Sequence, residues 1–286
     1  MGELNAKLRL GRIDFLNVLP VYYPLEAGIT ANPFTIIPGV PSELNELCAN
    51  GALDISPVSS IEYARRADLY YIVPDLSISS AGEVKSVLLL SRTPIERLSG
   101  KTVLASSQSH TSVGLLKVLC RLRYGVEPRF ETGACSDYLS GVELPDACLT
   151  IGDEALRLGR SGIFPHVLDL GTAWFEWTGL PFVFAVWVIR KKTVITGKNG
   201  QLAEAIEALL SSKRWGRANI GRICEQAAKT GLLEIPELEE YYRCLQFDLN
   251  EGERRGLELF YSRLFQAGEL KEVPRLETYT PLASVA

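Results

Sequence analysis

Short apolar runs alternate with stretches in which apolar residues recur three or four apart through the first and middle thirds of the chain. Runs of the first kind suit buried strands and the second kind amphipathic helices, so their alternation predicts parallel α/β sheets. Leu8-Arg9-Leu10 opens a first strand whose end hands Asn17 to a loop, and Pro20 starts a helix bearing Tyr22, Tyr23 and Leu25. Phe34-Thr35-Ile36-Ile37 is a second strand. A helix follows from Pro41-Ser42 through Leu44, Leu47 and Cys48, with Ser42 as its cap and Asn50-Gly51 as its end. Leu53-Asp54-Ile55-Ser56 is a third strand, and Pro57-Val58-Ser59-Ser60 leads into a helix through Ile61, Tyr63 and Ala64.

Leu69 to Val73 gives another strand, after which Ser77 to Gly82 reads as a loop of small residues and Ser86 to Ser91 as a buried strand. Thr93 to Lys101 resembles a linker into a fresh strand, Thr102 to Ala105, followed by a hydroxyl-rich loop, Ser106 to Ser112, and a periodic helix using Leu115, Leu116, Val118, Leu119 and Leu122. Asp146 to Ile151 is again strand-like and turns into a helix at Gly152-Asp153-Glu154. The aromatic stretch from Trp174 reads as a turn running into the apolar strand Phe182 to Ile189. From Gln201 onward the pattern is helical, and Tyr241-Tyr242 and Phe260-Tyr261 fall among its packing residues. The linker and the return strand predict an inserted second lobe, residues 92–185, within a first lobe made of 1–91 and 186–286. Strand-end loops of both lobes would then face a shared cleft.

Composition narrows the function. Of 286 residues, 47% are hydrophobic and 22% charged, as in soluble globular proteins, and the net charge of -4 with no Lys/Arg-rich run excludes an electrostatic footprint for nucleic acid. No apolar run reaches membrane-spanning length, and Met1 to Lys7 lacks the pattern of a signal peptide, so a cytoplasmic location without membrane partners is expected. The six cysteines are scattered singly, with no C-x-x-C pair and neither histidine at ligand spacing. They read as small core residues of a reducing compartment, and no metal is expected.

The candidate chemistry lies at the strand ends. Asn17 either caps the next helix or grips a hydroxyl and a carboxylate together, since its amide both donates and accepts. Ser59 and Ser60 stand at a helix start, where they serve as caps or help hold an anion. The loop from Ser106 to Ser112 is a stronger anion site; lacking the Gly-x-x-x-x-Gly-Lys of a phosphate loop, it favours a carboxylate over a nucleotide. Ser86 places a hydroxyl where the chain passes between lobes. Asp153 faces a cleft better than Glu154, whose charge suits the first helical turn. Arg12 and Lys85 stand beside these residues and are candidate positive charges.

Phe15-Leu16-Asn17 with Pro20, Gly51 to Val58, Ser109 with Thr111-Ser112-Val113, Ile151-Gly152-Asp153 and the long block Glu176 to Ala185 together resemble the chorismate dehydratase family of the futalosine route to menaquinone. The resemblance covers nearly the whole chain and implies the two-lobed fold of type II periplasmic binding proteins. It implies loss of water from chorismate to give 3-[(1-carboxyvinyl)oxy]benzoate, with no metal or organic cofactor. Under that reading Val58, Ser59, Ser60, Ser109, Thr111, Ser112 and Asp153 bind substrate. Asn17 and Ser86 hydrogen-bond the reacting groups while the enolpyruvyl carboxylate, or else Asp14 or Asp153, takes the ring proton. The sister family that makes 1,4-dihydroxy-6-naphthoate has a catalytic histidine near the position of Gly152, so its activity is disfavoured; a non-catalytic carboxylate-binding protein of the same fold is the other alternative.

Overall fold

A computed structural model describes residues 7–106, 110–135, 145–196 and 199–280. The chain starts with β1 (Leu8–Ile13), β2 (Phe34–Gly39), β3 (Ile55–Ser59) and β4 (Tyr70–Ser80), connected by α1 (Leu19–Glu26), α2 (Pro41–Asn50) and α3 (Ser60–Arg65). It then crosses to a second sheet holding β5 (Val87–Ser91), β6 (Thr102–Ala105), β7 (Arg129–Thr132), β8 (Ala147–Ile151) and β9 (His166–Asp169), with α4 (His110–Val118), α5 (Gly152–Leu158) and α6 (Leu170–Thr178). β10 (Phe182–Arg190) returns to the first sheet, and α7 (Lys191–Ile195), α8 (Asn199–Ala218), α9 (Ile220–Ala228), α10 (Ile235–Cys244) and α11 (Glu251–Gln266) follow. None of the described helices is long and apolar enough to cross a membrane.

The sheets repeat one plan. Their orders are β2-β1-β3-β10-β4 and β7-β6-β8-β5-β9. In each, the fourth strand alone runs antiparallel to its neighbours, and it is the strand that has just arrived from the other lobe. Pro57, which would break a ladder in a central strand, is tolerated because the β1 pairing of β3 stops at Ile55. Buried Asp54 ties the same edge together, accepting from the Arg9 backbone N and Nε, both at 2.9 Å. That is the structural work of the Gly51 to Ser56 block.

The lobes share packing as well as chain. Trp174 of α6, Phe182 of β10 and Phe260 of α11 meet edge to face, with centroids 4.8–6.0 Å apart. α11 rides directly on the return crossing, where Gly256 lies so close to the Pro181 carbonyl that a side chain there would collide with it.

Three expectations change. The crossings fall between β4 and β5 and between α6 and β10, rather than after residues 91 and 185, because Val87–Ser91 pairs with β8 and β9 while β10 pairs in the first sheet from Phe182 onward. Ser77 to Ser80 is not a loop but the end of β4; Ser77 N and Ser79 N donate to the Phe247 and Gln246 carbonyls, at 3.0 and 2.9 Å, so small residues serve close packing there. Trp174 and Trp177 lie on α6, which Asp169 caps through Thr172 N at 2.9 Å and left-handed Gly179 ends.

Candidate active site

Between the lobes lies a cleft of about 610 Å³, mouth included, onto which strand ends of both sheets open. Asn17 and Ser59 reach it from the first lobe, Thr111 and Ser112 from the second, and Ser86 from the first crossing. Phe15, Phe184, Ile13 and Ile151 form apolar walls suited to a ring. Among the described residues lining it, none carries a charge.

Asn17 lies in the tight turn Leu16–Val18 shortly after β1, and its Oδ1 is buried with no hydrogen-bond partner among the described residues. An amide oxygen in that position costs free energy until a ligand supplies a donor. Nor does it cap the next helix; α1 has no side-chain cap. Across the cleft, Ser86 is buried and its Oγ donates to Val84 O at 3.3 Å, a long bond that leaves the hydroxyl easily redirected. Gly152 fixes the next strand end: its N donates to Ser86 O at 2.8 Å, its φ is +57°, and a Cβ there would stand 2.9 Å from the Phe15 ring of the opposite lobe.

The predicted anion donors are largely engaged within the protein. Ser59 N donates to Asn45 Oδ1 and Asn45 Nδ2 to Ser59 Oγ, both at 3.2 Å. Thr111 Oγ1 accepts from Ile61 N at 3.2 Å, so a second-lobe hydroxyl caps α3 of the first lobe, and it meets Ser60 Oγ at 3.3 Å. Val58 and Ser60 are buried and are not among the cleft residues; Val58 sits in β3 opposite Val186. Ser109 lies outside the described residues.

Asp153 also stands away from the lining. It accepts from Leu16 N at 3.2 Å, latching α5 to the turn that carries Asn17, and burial raises its carboxyl above the usual range. Asp14 is exposed and ion-paired with Arg12 at 2.8 Å, while Arg12 also meets Glu26 at 2.8 Å. Lys85 pairs with Glu240 at 3.0 Å and with Glu83 at 3.6 Å. Neither cation enters the cleft. No three His, Cys, Asp or Glu side chains gather as a metal-holding group among the described residues. The aromatic and glycine members of the site, Phe15, Gly152 and Phe184, were present in the recognised sequence blocks but carried no chemical signal of their own.

Repeated sheets joined by two crossings over one interlobe cleft define a two-lobed, periplasmic-binding-protein-like α/β protein. A solved protein from Archaeoglobus fulgidus superimposes with a TM-score of 0.75 at 18% identity, over 92% of this chain and 98% of that one. The periplasmic aliphatic sulphonate binding protein of Escherichia coli gives 0.64 at 16% identity, over 96% and 92%. The chain belongs to the menaquinone biosynthesis family, which matches residues 8–266. It is 32% identical to the chorismate dehydratase of Thermus thermophilus over 89% of this chain and 94% of that protein. The 1,4-dihydroxy-6-naphtoate synthase of the same organism is 27% identical over 64% of this chain.

Proposed function

We propose that this chain is a chorismate dehydratase, a hydro-lyase that removes water from chorismate to give 3-[(1-carboxyvinyl)oxy]benzoate on the way to menaquinone. The observation that carries the reading is an unpartnered, buried Asn17 amide oxygen in a cleft whose described lining has no charge. Chorismate brings two carboxylates. With no cation beside them, both are held by neutral donors, and apolar walls make a carboxylate more basic by disfavouring its charged form. The cleft thereby suits a substrate that acts as its own base.

The ring C–H bond breaks to the enolpyruvyl carboxylate, the neighbouring C–OH bond breaks, and hydroxide leaves as water on taking up a proton. The carboxylate ends as it began. Asn17 accepts from the ring hydroxyl and donates to the enolpyruvyl carboxylate, while Ser86 hydrogen-bonds the departing oxygen. Formation of an aromatic ring drives the reaction, so positioning is the main task; a near-attack arrangement lowers such barriers by several kcal/mol, up to about 7–11. Interlobe contacts through Thr111 and Asp153 keep water from the reacting atoms. A cytoplasmic setting agrees with cysteines that are all unpaired.

The test is incubation of the purified chain with chorismate, followed by absorbance and mass spectrometry. An enzyme-dependent aromatic product one water lighter, lost in Asn17→Ala, supports the reading. Tight binding of chorismate without product would refute it in favour of a carboxylate-binding protein. The sister activity meets a steric objection, because left-handed Gly152 packed on Phe15 leaves no room for a histidine side chain.

A further inference from the structure

Tyr241 and Tyr242 adjoin on α10, and both rings are buried. Their hydroxyls differ. Tyr242 donates to Leu16 O at 2.8 Å, bracing the residue before Asn17. The Tyr241 hydroxyl, equally deep, has no aligned hydrogen-bond partner among the described residues. Ser86 is within hydrogen-bonding reach of it but out of alignment for a bond. Phenylalanine would fill the same space without burying a poorly aligned donor, so this hydroxyl costs stability unless the occupied cleft employs it.

We infer that Tyr241 is a positioning residue for Ser86: once substrate fills the cleft, Ser86 Oγ turns from Val84 O to the departing oxygen, and the Tyr241 O–H donates to the serine lone pair. The inference rests on the reading of the cleft as one that eliminates water. A serine hydroxyl has one proton and two lone pairs, so it can accept from Tyr241 while giving its proton to a third oxygen. The Val84 bond that it must leave is weak at 3.3 Å. Hydrogen bonds in a chain polarise one another, so the bond Ser86 gives is strengthened by the one it receives. No proton leaves Tyr241, since burial raises its pKa and keeps it a donor. The helix behind both reacting groups thus serves each of them, Tyr242 through the Leu16 carbonyl and Tyr241 through Ser86.

The experiment compares wild type, Tyr241→Phe, Ser86→Ala and the double variant of the full chain for kcat and KM with chorismate and for thermal midpoint. Tyr241→Phe is expected to lower kcat about tenfold, the scale of one lost hydrogen bond, with KM within about twofold and a midpoint equal to or above wild type. In the Ser86→Ala background it should change kcat no further. A lower midpoint with unchanged kcat would overturn the inference, showing an ordinary structural hydroxyl. Multiplying losses in the double variant would overturn it too, by showing that Tyr241 acts apart from Ser86. A wild-type chain without turnover would instead remove the functional reading, and the inference with it.

Discussion

Gly152→Ala tests how tightly the two lobes define the cleft. The substitution asks a non-glycine residue to hold φ +57° at the start of α5, which costs roughly 1–2 kcal/mol. The new methyl would also stand 2.9 Å from Cδ1 and Cε1 of Phe15 and 3.0 Å from Cδ2. Forcing a well-packed ring aside adds about 1–3 kcal/mol, for a total of roughly 2–5 kcal/mol. For a chain of this size that lowers the midpoint by on the order of 3–8 °C. Turnover should fall at least about tenfold, because Phe15 precedes Asn17 by two residues and Gly152 N holds the Ser86 carbonyl at 2.8 Å. Thermal melts and chorismate turnover on the single variant, on Phe15→Ala and on the pair supply the cycle. Removing the ring should return the collision component and leave the backbone component, a coupling of about 1–3 kcal/mol. A Gly152→Ala chain that melts and turns over like wild type would refute the account of the lobe contact.

Asn17→Asp should reduce turnover about a thousandfold: a new carboxylate about 4 Å from a substrate carboxylate repels it by about 4 kcal/mol at an effective dielectric near 20, and steady-state kinetics would reveal it. Asp153→Asn keeps an acceptor for Leu16 N but removes a buried charge. Burial raises the folded carboxyl above 3.8, so wild type loses stability as pH rises from 3.8 through that raised value. The variant should therefore match wild type in acid and exceed it near neutrality, as denaturant melts across pH would record. Thr111→Val removes the acceptor for Ile61 N, so stability should fall by about 1 kcal/mol and small-angle X-ray scattering should show lobes further apart.

What the sequence made legible was placement that is decided locally. Asn17, Ser59 and Ser86 flank short apolar runs, and a strand end in an α/β sheet faces a ligand site whatever the rest of the chain does. Asp153 reads locally as a cleft carboxylate, yet its partner is a backbone N–H 137 residues earlier. Ser77 to Ser80 has turn-forming composition, and only the segment around Gln246 and Phe247, brought alongside by the closing fold, makes it a strand. Tyr241 gave no signal at all, since a tyrosine on an amphipathic helix is ordinary core until its hydroxyl is found without an aligned partner.

The repeated sheet plan explains why both chain crossings border the cleft. In each sheet the antiparallel strand is the one that has just left the other lobe, so both crossings pass beside the cleft. The first crossing supplies Ser86, and the strands that the two crossings enter supply Val87 of β5 and Phe184 and Ala185 of β10. The first crossing is further held by Asp169, whose carboxylate accepts from Val84 N at 3.1 Å and Lys85 N at 2.7 Å while capping α6. Lys85 itself sits at φ +60°, a conformation a lysine keeps only when its surroundings impose it. Any bending of the lobes about this segment would rotate Ser86 with it, so a closed cleft and a correctly aimed serine are one geometric condition. Under the proposed elimination that coupling is useful, because the leaving oxygen would meet Ser86 only after water has been shut out.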